Sequence, residues 1–487
     1  MSWSTFEELG NQILDQCKIL DACAKKQNFQ PSFSDYDSWQ AFIDCINVNG
    51  SEVEKNARTD LLNKTADLRD LVLGPAGTVV WPALTYPYQL STLKILNDFS
   101  IPQIIPRGKD ESKTFSEITD ELTENLTRRL GRRFTMSKDF VTRVIRHAST
   151  FRILAIDEEN QSVKHTAPSE AFFDNPIPSS SSTKYSVQST LTICLDLRFL
   201  NTAFRIGDAL LRYGDIVEPY QTAFNIAFDT PYDYLRYMVD EDNFDLCETM
   251  LKHLTFVMSG HNMATRHHDQ DALAKNVSSS IKNQPPQQIL RIVDMGGGWG
   301  DVCISIAKAL LEASKPLPQF VVADLDTMAD IGEKQLRKSK LDDRIKSSIT
   351  FERYDFIQGK NREDNADIYM FRFVMHDWSD SYVITILNKI VPNMKDDARI
   401  LIMDYILPEP NVFPLVVERL KRTMDMAAMS ILAGKERRKD DWDQLIKTFN
   451  NGSSSRKLEL HWPNDDNGKG AFGVVGLKLK LPPLPPS

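Results

Sequence analysis

Apolar residues near the start of the chain recur at helical spacing. Phe6, Leu9, Ile13, Leu14 and Cys17 are separated by charged or amide residues, the pattern of an amphipathic helix. A second helix is expected over Glu54–Leu73, where Leu61, Leu62, Ala66, Leu68 and Leu71 share one broad face. Gly74 and Pro75 should stop it. Faces of this kind serve packing or self-association, and no chemistry-bearing cluster accompanies them. Between about 113 and 170 the pattern changes. TFSEITDEL and SKDFVTRVIRHAST each predict a helix, the second capped by Ser137. FRILAI and SVKHTAPS predict two short strands joined by Asp157–Gln161.

IPSSSSTKYS reads as a loop by composition. Helical patterning returns from Leu191 to about Met263, with interruptions at Pro219 and at Asp229-Thr230-Pro231. KNQPPQQ marks a connection, after which short apolar runs alternate with helical stretches. RIVD, QFVVADLD, SITFERYDFI, ADIYMFRFVMHDWSD and RILIMDYILPEP are the expected strands. DVCISIAKALLEA and YVITILNKIVPNM are helices between them. Such alternation predicts an α/β fold built on a doubly wound, mostly parallel sheet. The expected organisation is a helical region at 1–112, a small helix–helix–hairpin unit at 113–175, a helical linker at 176–285 and the α/β domain at 286–487.

Helix, turn, helix and hairpin is the winged-helix pattern. Arg128, Arg129, Arg132, Arg133, Arg143 and Arg146 make that stretch locally basic, which allows DNA binding through its second helix. The alternative is a scaffold that lines a pocket or packs against a partner subunit. Charge separates the two. Lys and Arg number 58 against 67 Asp and Glu, a formal net charge of −9, and an acidic chain lacks the electrostatic footprint of a nucleic-acid binder. The scaffold reading is therefore preferred, with no nucleic acid as partner.

At 487 residues, 41% hydrophobic and 26% charged, the chain has ample core for several units and the composition of a globular protein. Cys17, Cys23, Cys45, Cys194, Cys247 and Cys303 are scattered, with no C-x-x-C pair, as expected of free thiols in a reducing compartment. The N-terminus is acidic, and no run reaches the ~18 apolar residues of a membrane span. A soluble, cytoplasmic protein without a membrane partner is the expectation. His261, His267, His268, Asp269 and Asp271 gather in HNMATRHHDQD, but at no standard metal-ligand spacing. A solvated loop is the reading, and no metal site is assigned.

The chemistry concentrates after Arg291. RIVD runs into MGGGWG and then a helix, a strand, glycine-rich turn and helix in succession. The glycines at 296, 297, 298 and 300 fall one residue short of the dinucleotide fingerprint G-x-G-x-x-G. No Lys-Ser/Thr pair of a P-loop follows. Asp324 closes the next strand, where an acid can accept hydrogen bonds from both hydroxyls of a ribose. Asp355 follows the third strand and could hold an adenine amino group. The fourth leads into His376-Asp377-Trp378. Ligands of such sheets sit at the carboxyl ends of the strands, so Gly296–Gly300, Asp324, Asp355 and His376 should converge there.

VDMGGGWG, VVADLD, YDF, FRFVMHDWSD and GKER, in this order and spacing, resemble the metal-independent, S-adenosylmethionine-dependent O-methyltransferases of plants and fungi. The sterigmatocystin-type fungal branch is most similar, because RTDLLNKTADLRDLVLGP, VIRHAST, VKHTAPS and FNIAFDTPYDYLRYM also match its pattern. The likeness covers roughly residues 55–450. It implies a Rossmann-like catalytic domain, a winged-helix-like N-terminal part used for homodimerisation and substrate contact, and S-adenosylmethionine as cofactor. It also carries roles to matching positions. Asp294, Gly296, Gly298, Asp324, Asp355, Phe356 and Arg372 would bind the cofactor, with Arg372 standing where many relatives have lysine. His376 would be the catalytic base, with Asp377 beside it and Glu436 orienting it. Asp404 replaces a second orienting glutamate and is one methylene shorter.

The implied chemistry is physically coherent. Methyl transfer from a sulfonium needs positioning and a proton acceptor. A phenol with pKa near ~10 is almost wholly un-ionised at neutral pH, and an imidazole is suited to take its proton during attack. The expected reaction is methylation of a phenolic or enolic hydroxyl on a small aromatic or polyketide-derived secondary metabolite. Two departures accompany Asp404: the segment after DWDQLIKTF lacks the family's A-G-F, and no tryptophan precedes RIVD. Asp404 and the altered C-terminus leave open a pericyclase that keeps S-adenosylmethionine as an electrostatic or structural element, and the intact His376-Asp377 pair argues against it. A winged-helix regulator that senses the cofactor is a third reading, disfavoured by the net charge.

Overall fold

Thr5 opens the first helix of the computed structural model, Phe6–Lys26, with its hydroxyl on Glu8 N–H while Glu8 reaches back to the Thr5 N–H. The structure describes residues 5–108, 111–173, 175–176, 184–185, 187–240, 277, 289–313, 315–363, 365–410, 412–452, 455–463 and 472–480. The His261–Asp271 cluster, residues 177–183 of the serine-rich loop and the terminal LPPLPPS lie outside them, as does Cys247; Lys184–Tyr185, expected as loop, form a short strand. The chain divides into two units: residues 1–200, 245–264 and 414–417 in one, 201–244, 265–413 and 418–487 in the other.

In the first unit a long helical segment runs from Glu52 to Asp98. Gly74 interrupts it with φ 71° and ψ 171°, so the expected stop is a break rather than an end. Pro75 starts the continuation, where its missing N–H costs nothing. Lys64 Nζ donates to Gln12 Oε1 at 2.6 Å, tying this segment to the first helix. Val72, Val79, Val80, Trp81, Leu84 and Tyr88 remain between 49 and 75% exposed along it.

The helices Phe115–Leu130 and Lys138–Thr150 follow, the second capped by the Ser137 hydroxyl. They pack on a three-stranded antiparallel sheet of β1 (Lys113–Thr114), β2 (Leu154–Asp157) and β3 (Ser162–His165), in the order β1-β3-β2. Phe115, Ile118, Leu122, Val141, Ile145, Leu154 and Val163 form the core of this helix–helix–hairpin unit. Its basic side chains are partly engaged at home. Arg143 pairs with Asp139, Arg146 with Glu158, and Arg129 donates to the Asp98 carbonyl. A two-residue ladder joins β4 (Asn175–Pro176) to β5 (Lys184–Tyr185).

The second unit is the α/β domain. Its strands are β6 (Arg291–Met295), β7 (Gln319–Asp324), β8 (Ile349–Arg353), β9 (Ile368–Arg372), β10 (Arg399–Tyr405), β11 (Leu458–His461) and β12 (Phe472–Leu479). They form one sheet in the order β11-β12-β10-β9-β6-β7-β8. The five from β6 to β10 are parallel, and β12 and β11 close one edge antiparallel. The central strands are apolar on both sides, as helices on both faces require. One core gathers Val293, Tyr369, Phe371, Ile386 and Trp442, the other Ile292, Phe320, Met370, Ile306 and Leu310. From β6 the chain winds one way through β7 and β8, then returns to β9 and β10 on the other side. The order reverses between β6 and β9, where a crevice opens at the strand ends in folds of this kind. No helix of the described residues is long and apolar enough to cross a membrane.

Candidate active site

β6 ends at Met295, and the chain turns at once through Gly296 (φ 69°), Gly298 (φ 57°) and Gly300 (φ 79°). Left-handed values of this kind favour residues without a Cβ. The inner side of the turn is tight. A Cβ at Gly296 would stand 2.8 Å from Val374 Cγ2 and one at Gly297 2.6 Å from Asp294 Oδ2. At Gly298 it would meet only Met328 Cε, at 3.9 Å. The loop is thus packed behind and uncrowded in front. That cradle suits a ligand lying against backbone, and the adenosyl part of S-adenosylmethionine fits this requirement.

The acids expected around it take different places. Asp324, at the end of β7, accepts the Gly298 N–H on Oδ2 and the Leu325 N–H on Oδ1, both at 2.7 Å. Burial pushes its carboxyl above the usual range, and these two donors pull it back. Each oxygen keeps a further lone pair for a hydroxyl donor. Asp355 caps its own turn, with Oδ1 accepting from Ile357 N and Gln358 N, while Arg236 Nη2 lies 3.5 Å from Oδ2. Phe356 sits beside the glycine turn, its ring edge 3.6 Å from where a Gly296 Cβ would be, and meets Trp378 edge-to-face at 5.9 Å. Asp294 lies behind the loop, 1% exposed, with the Cys303 thiol 3.3 Å from Oδ2. Burial raises its carboxyl to about 7, and its position braces the turn from the inside. Arg372 ends β9, largely buried, with its guanidinium 4.8 Å from the Phe373 ring centre.

His376 sits not on the strand but four residues beyond it, in the single turn Met375–Asp377. Phe373 makes that bend with φ 55°, an uncommon value for a bulky residue. His376 Nδ1 lies 2.7 Å from Glu436 Oε1, and Nε2 is 3.3 Å from Asp377 Oδ1. Glu436 is 2% exposed, whereas His376 keeps 16% of its side chain open. Phe373 and Tyr405 flank the imidazole at 5.6 and 6.4 Å. Burial works against its charged form, but the carboxylates of Asp377, Glu436 and Asp404 outweigh it and push the imidazole up to about 10.

Asp404 lies on β10, 2% exposed, and neither of its oxygens has a hydrogen-bond partner among the described residues. Burial raises its carboxyl to about 7, against the pull of His376. The sign follows from where the proton sits. Between pH ~4 and ~7 the folded protein holds a proton that the unfolded chain has released, so folding loses stability as pH rises through that window. Asp404→Asn, which cannot ionise, should therefore be more stable than the parent by about 2–4 kcal/mol at pH 8 and by little at pH 4. Denaturant unfolding at the two pH values checks this. An equal effect at both would contradict it.

Sequence patterning does not point to two further features. One is the stack of Trp378 on Tyr382, at 5.5 Å, with the Tyr382 hydroxyl donating to Glu218 at 2.7 Å. The other is Arg437, wholly buried beside Glu436. Trp378 and Arg437 stand inside FRFVMHDWSD and GKER, but the motifs name no partner for either, and Tyr382 and Glu218 lie outside the quoted motifs. Together the described residues offer a backbone cradle next to a buried acid–imidazole cluster, all at the carboxyl edge of the sheet. Such an arrangement can hold a nucleoside-like group and move a proton.

Residues 261–450 match the family model of the O-methyltransferase domain. O-methyltransferase VdtC of Byssochlamys spectabilis is 27% identical over 424 residues, which cover 87% of each chain. Among solved structures, OxaC in complex with SAH and oxaline superposes with a TM-score of 0.65 at 18% identity, covering 97% of this chain and 100% of that one. A structure described as a pericyclic reaction enzyme gives a TM-score of 0.61 at 17% identity, with 91% and 99% covered. At such identities the solved structures establish a shared fold.

Proposed function

Because the chain belongs to the S-adenosylmethionine-dependent O-methyltransferases of fungal secondary metabolism, we propose that it methylates a phenolic or enolic hydroxyl of a polyketide-derived metabolite, with His376 as general base. The observation that carries this is the His376–Glu436 contact at 2.7 Å, a few residues past the strand beside the glycine cradle. Gly296, Gly298, Asp324, Asp355, Phe356 and Arg372 would hold the cofactor, with Asp294 supporting the loop from behind. When bound, S-adenosylmethionine supplies an electrophilic methyl group on a sulfonium.

The remaining work falls to side chains of this protein. Glu436 accepts the Nδ1–H, which fixes the tautomer and leaves Nε2 to face the acceptor hydroxyl. In the neutral imidazole, the minority form below pH ~10, Nε2 turns from Asp377 to the substrate and takes the hydroxyl proton as the oxygen attacks. Glu436, Asp377 and Asp404 then stabilise the imidazolium, the form the cluster already favours. Phe373 and Tyr405 give the imidazole apolar, aromatic neighbours suited to a flat substrate.

Incubation with methyl-labelled cofactor and a panel of phenolic polyketides tests the reading. Label in the product, with release of S-adenosylhomocysteine, is the expected result. The alternative is a pericyclase, favoured by the donorless Asp404 and by the fold shared with a pericyclic reaction enzyme. It would give a product of unchanged mass that still depends on the cofactor.

The assembly is proposed to be a homodimer through the N-terminal helices, in a cytoplasmic setting suited to free thiols. The exposed Val72, Val79, Trp81, Leu84 and Tyr88 support a self-association face. Sedimentation should show a dimer for the parent and a monomer for the Trp81→Glu, Leu84→Glu double variant. A parent that sediments as a monomer at micromolar concentration would remove this part of the proposal.

A further inference from the structure

Glu436 and His376 are 60 positions apart, and their side chains meet at 2.7 Å. Something must hold the two backbone segments in register, because a misplacement of about 1 Å costs roughly a hundredfold in rate at sites of this kind. Two bends deliver the segments. Phe373 turns left-handed before His376, and Ala433 does so before Glu436, with φ 55° and 58°. The segments also touch directly. Lys435 N donates to the His376 carbonyl at 2.9 Å, and any side chain at Gly434 would collide with that same oxygen.

Arg437 completes the junction. It is 1% exposed, and its guanidinium bonds to both segments. Nη1 donates to the Met375 carbonyl at 2.9 Å and to the Lys435 carbonyl at 3.3 Å. Nη2 donates to the Trp378 carbonyl at 2.8 Å and lies 2.8 Å from Asp380 Oδ1, which also accepts from Nε at 2.9 Å. A guanidinium has five N–H donors, and five contacts are present. The two carbonyls from the first segment bracket His376-Asp377, and the Lys435 carbonyl immediately precedes Glu436. Trp442 covers the guanidinium face, its ring centre 5.3 Å from Cζ.

We infer that Arg437 is a positioning residue, which sets the His376–Glu436 distance by fixing the backbone on both sides of that pair, with Asp380 as its anchor. Lysine cannot replace it, since a single ammonium has three donors and no fork to span both segments. The inference rests on the reading of His376 as base, so the test uses one readout that does not need the reaction.

That readout is the downfield proton resonance of the His376 Nδ1–H, identified by its loss in Glu436→Gln. In Arg437→Lys this resonance should shift or broaden, while affinity for S-adenosylhomocysteine stays within about twofold. In the same variant kcat for methyl transfer should fall about a hundredfold, with KM for the cofactor unchanged. Asp380→Asn, whose side chain is 49% exposed and thus tolerant of change, should show the same signature at about a tenth of the size. It keeps the test alive if Arg437→Lys does not fold. An unchanged resonance in a folded variant would overturn the positioning role. A shifted resonance with unchanged turnover would keep the positioning role and remove the base assignment instead.

Discussion

His376→Ala should lower kcat by about a thousandfold, inside the ~10²–10⁴ range for losing a positioned general base, and leave cofactor binding intact. The separation follows from where the groups sit. No described contact joins the imidazole to the glycine turn or to Asp324, so the cradle survives its removal. The base is lost together with a positive charge that Glu436, Asp377 and Asp404 share, leaving the Arg437 guanidinium as their buried cation neighbour among the described residues. Glu436, Asp377 and Asp404 then face one another with less compensation, which also lowers stability above pH ~7. Working at pH 6–7 and checking S-adenosylhomocysteine binding by calorimetry separates the chemical loss from the structural one. Turnover within tenfold of the parent, in a variant that binds cofactor, would remove His376 from the mechanism.

Asp324→Ala should act on the opposite side of the reaction. Asp324 holds the Gly298 and Leu325 amides with charge-assisted bonds, each contributing about 1.5–3 kcal/mol. Alanine removes both and also removes the acceptor proposed for ribose hydroxyls. The glycine turn then loses its fixed shape. A weakening of S-adenosylmethionine binding by about 10²–10³-fold is expected, measured as Kd. Substrate KM at saturating cofactor should change much less. Asp324→Asn retains one acceptor oxygen and should show an intermediate loss. Cofactor affinity equal to the parent's in the alanine variant would contradict the assignment.

Much of the α/β domain was legible because its strands are buried on both faces. RIVD, QFVVAD, IYMFR and RILIMDY stand out as apolar runs between turn residues, while the edge strand ITFER is mixed in character. Phe472–Leu479, which pairs along the whole of β10, adds an antiparallel strand beside them. The winged pattern was equally visible, since Ser137 and the 158–161 turn are local signals. Gly74 and Pro75 predict a stop, but a proline suits the first turn of the next helical stretch as well as it ends the last.

The site was legible as a set of residue types and much less as a geometry. Motif spacing brings Asp324 and the glycines together because strand and turn are contiguous in β6 and β7. It does not show that Asp294 points behind the loop, because the face on which a strand-end residue lies depends on the twist of the sheet around it. Nor could it place His376, whose distance from β9 is set by one left-handed phenylalanine. The donorless state of Asp404 and the bridging role of Arg437 depend on contacts between segments tens of residues apart. Periodicity holds no information about those.

The proposed reaction is transfer of a methyl group to a hydroxyl whose proton passes to His376. Single-turnover quench measurements with labelled cofactor and an accepted phenol, across pH 6–10, test it most directly. Label should appear on the substrate oxygen. Its rate should rise with pH along a limb set by the His376 cluster, whose imidazole is held above its ordinary ~6.5, and that limb should vanish in His376→Ala. A product of unchanged mass, or a labelled product whose pH profile is the same in parent and variant, would contradict the account.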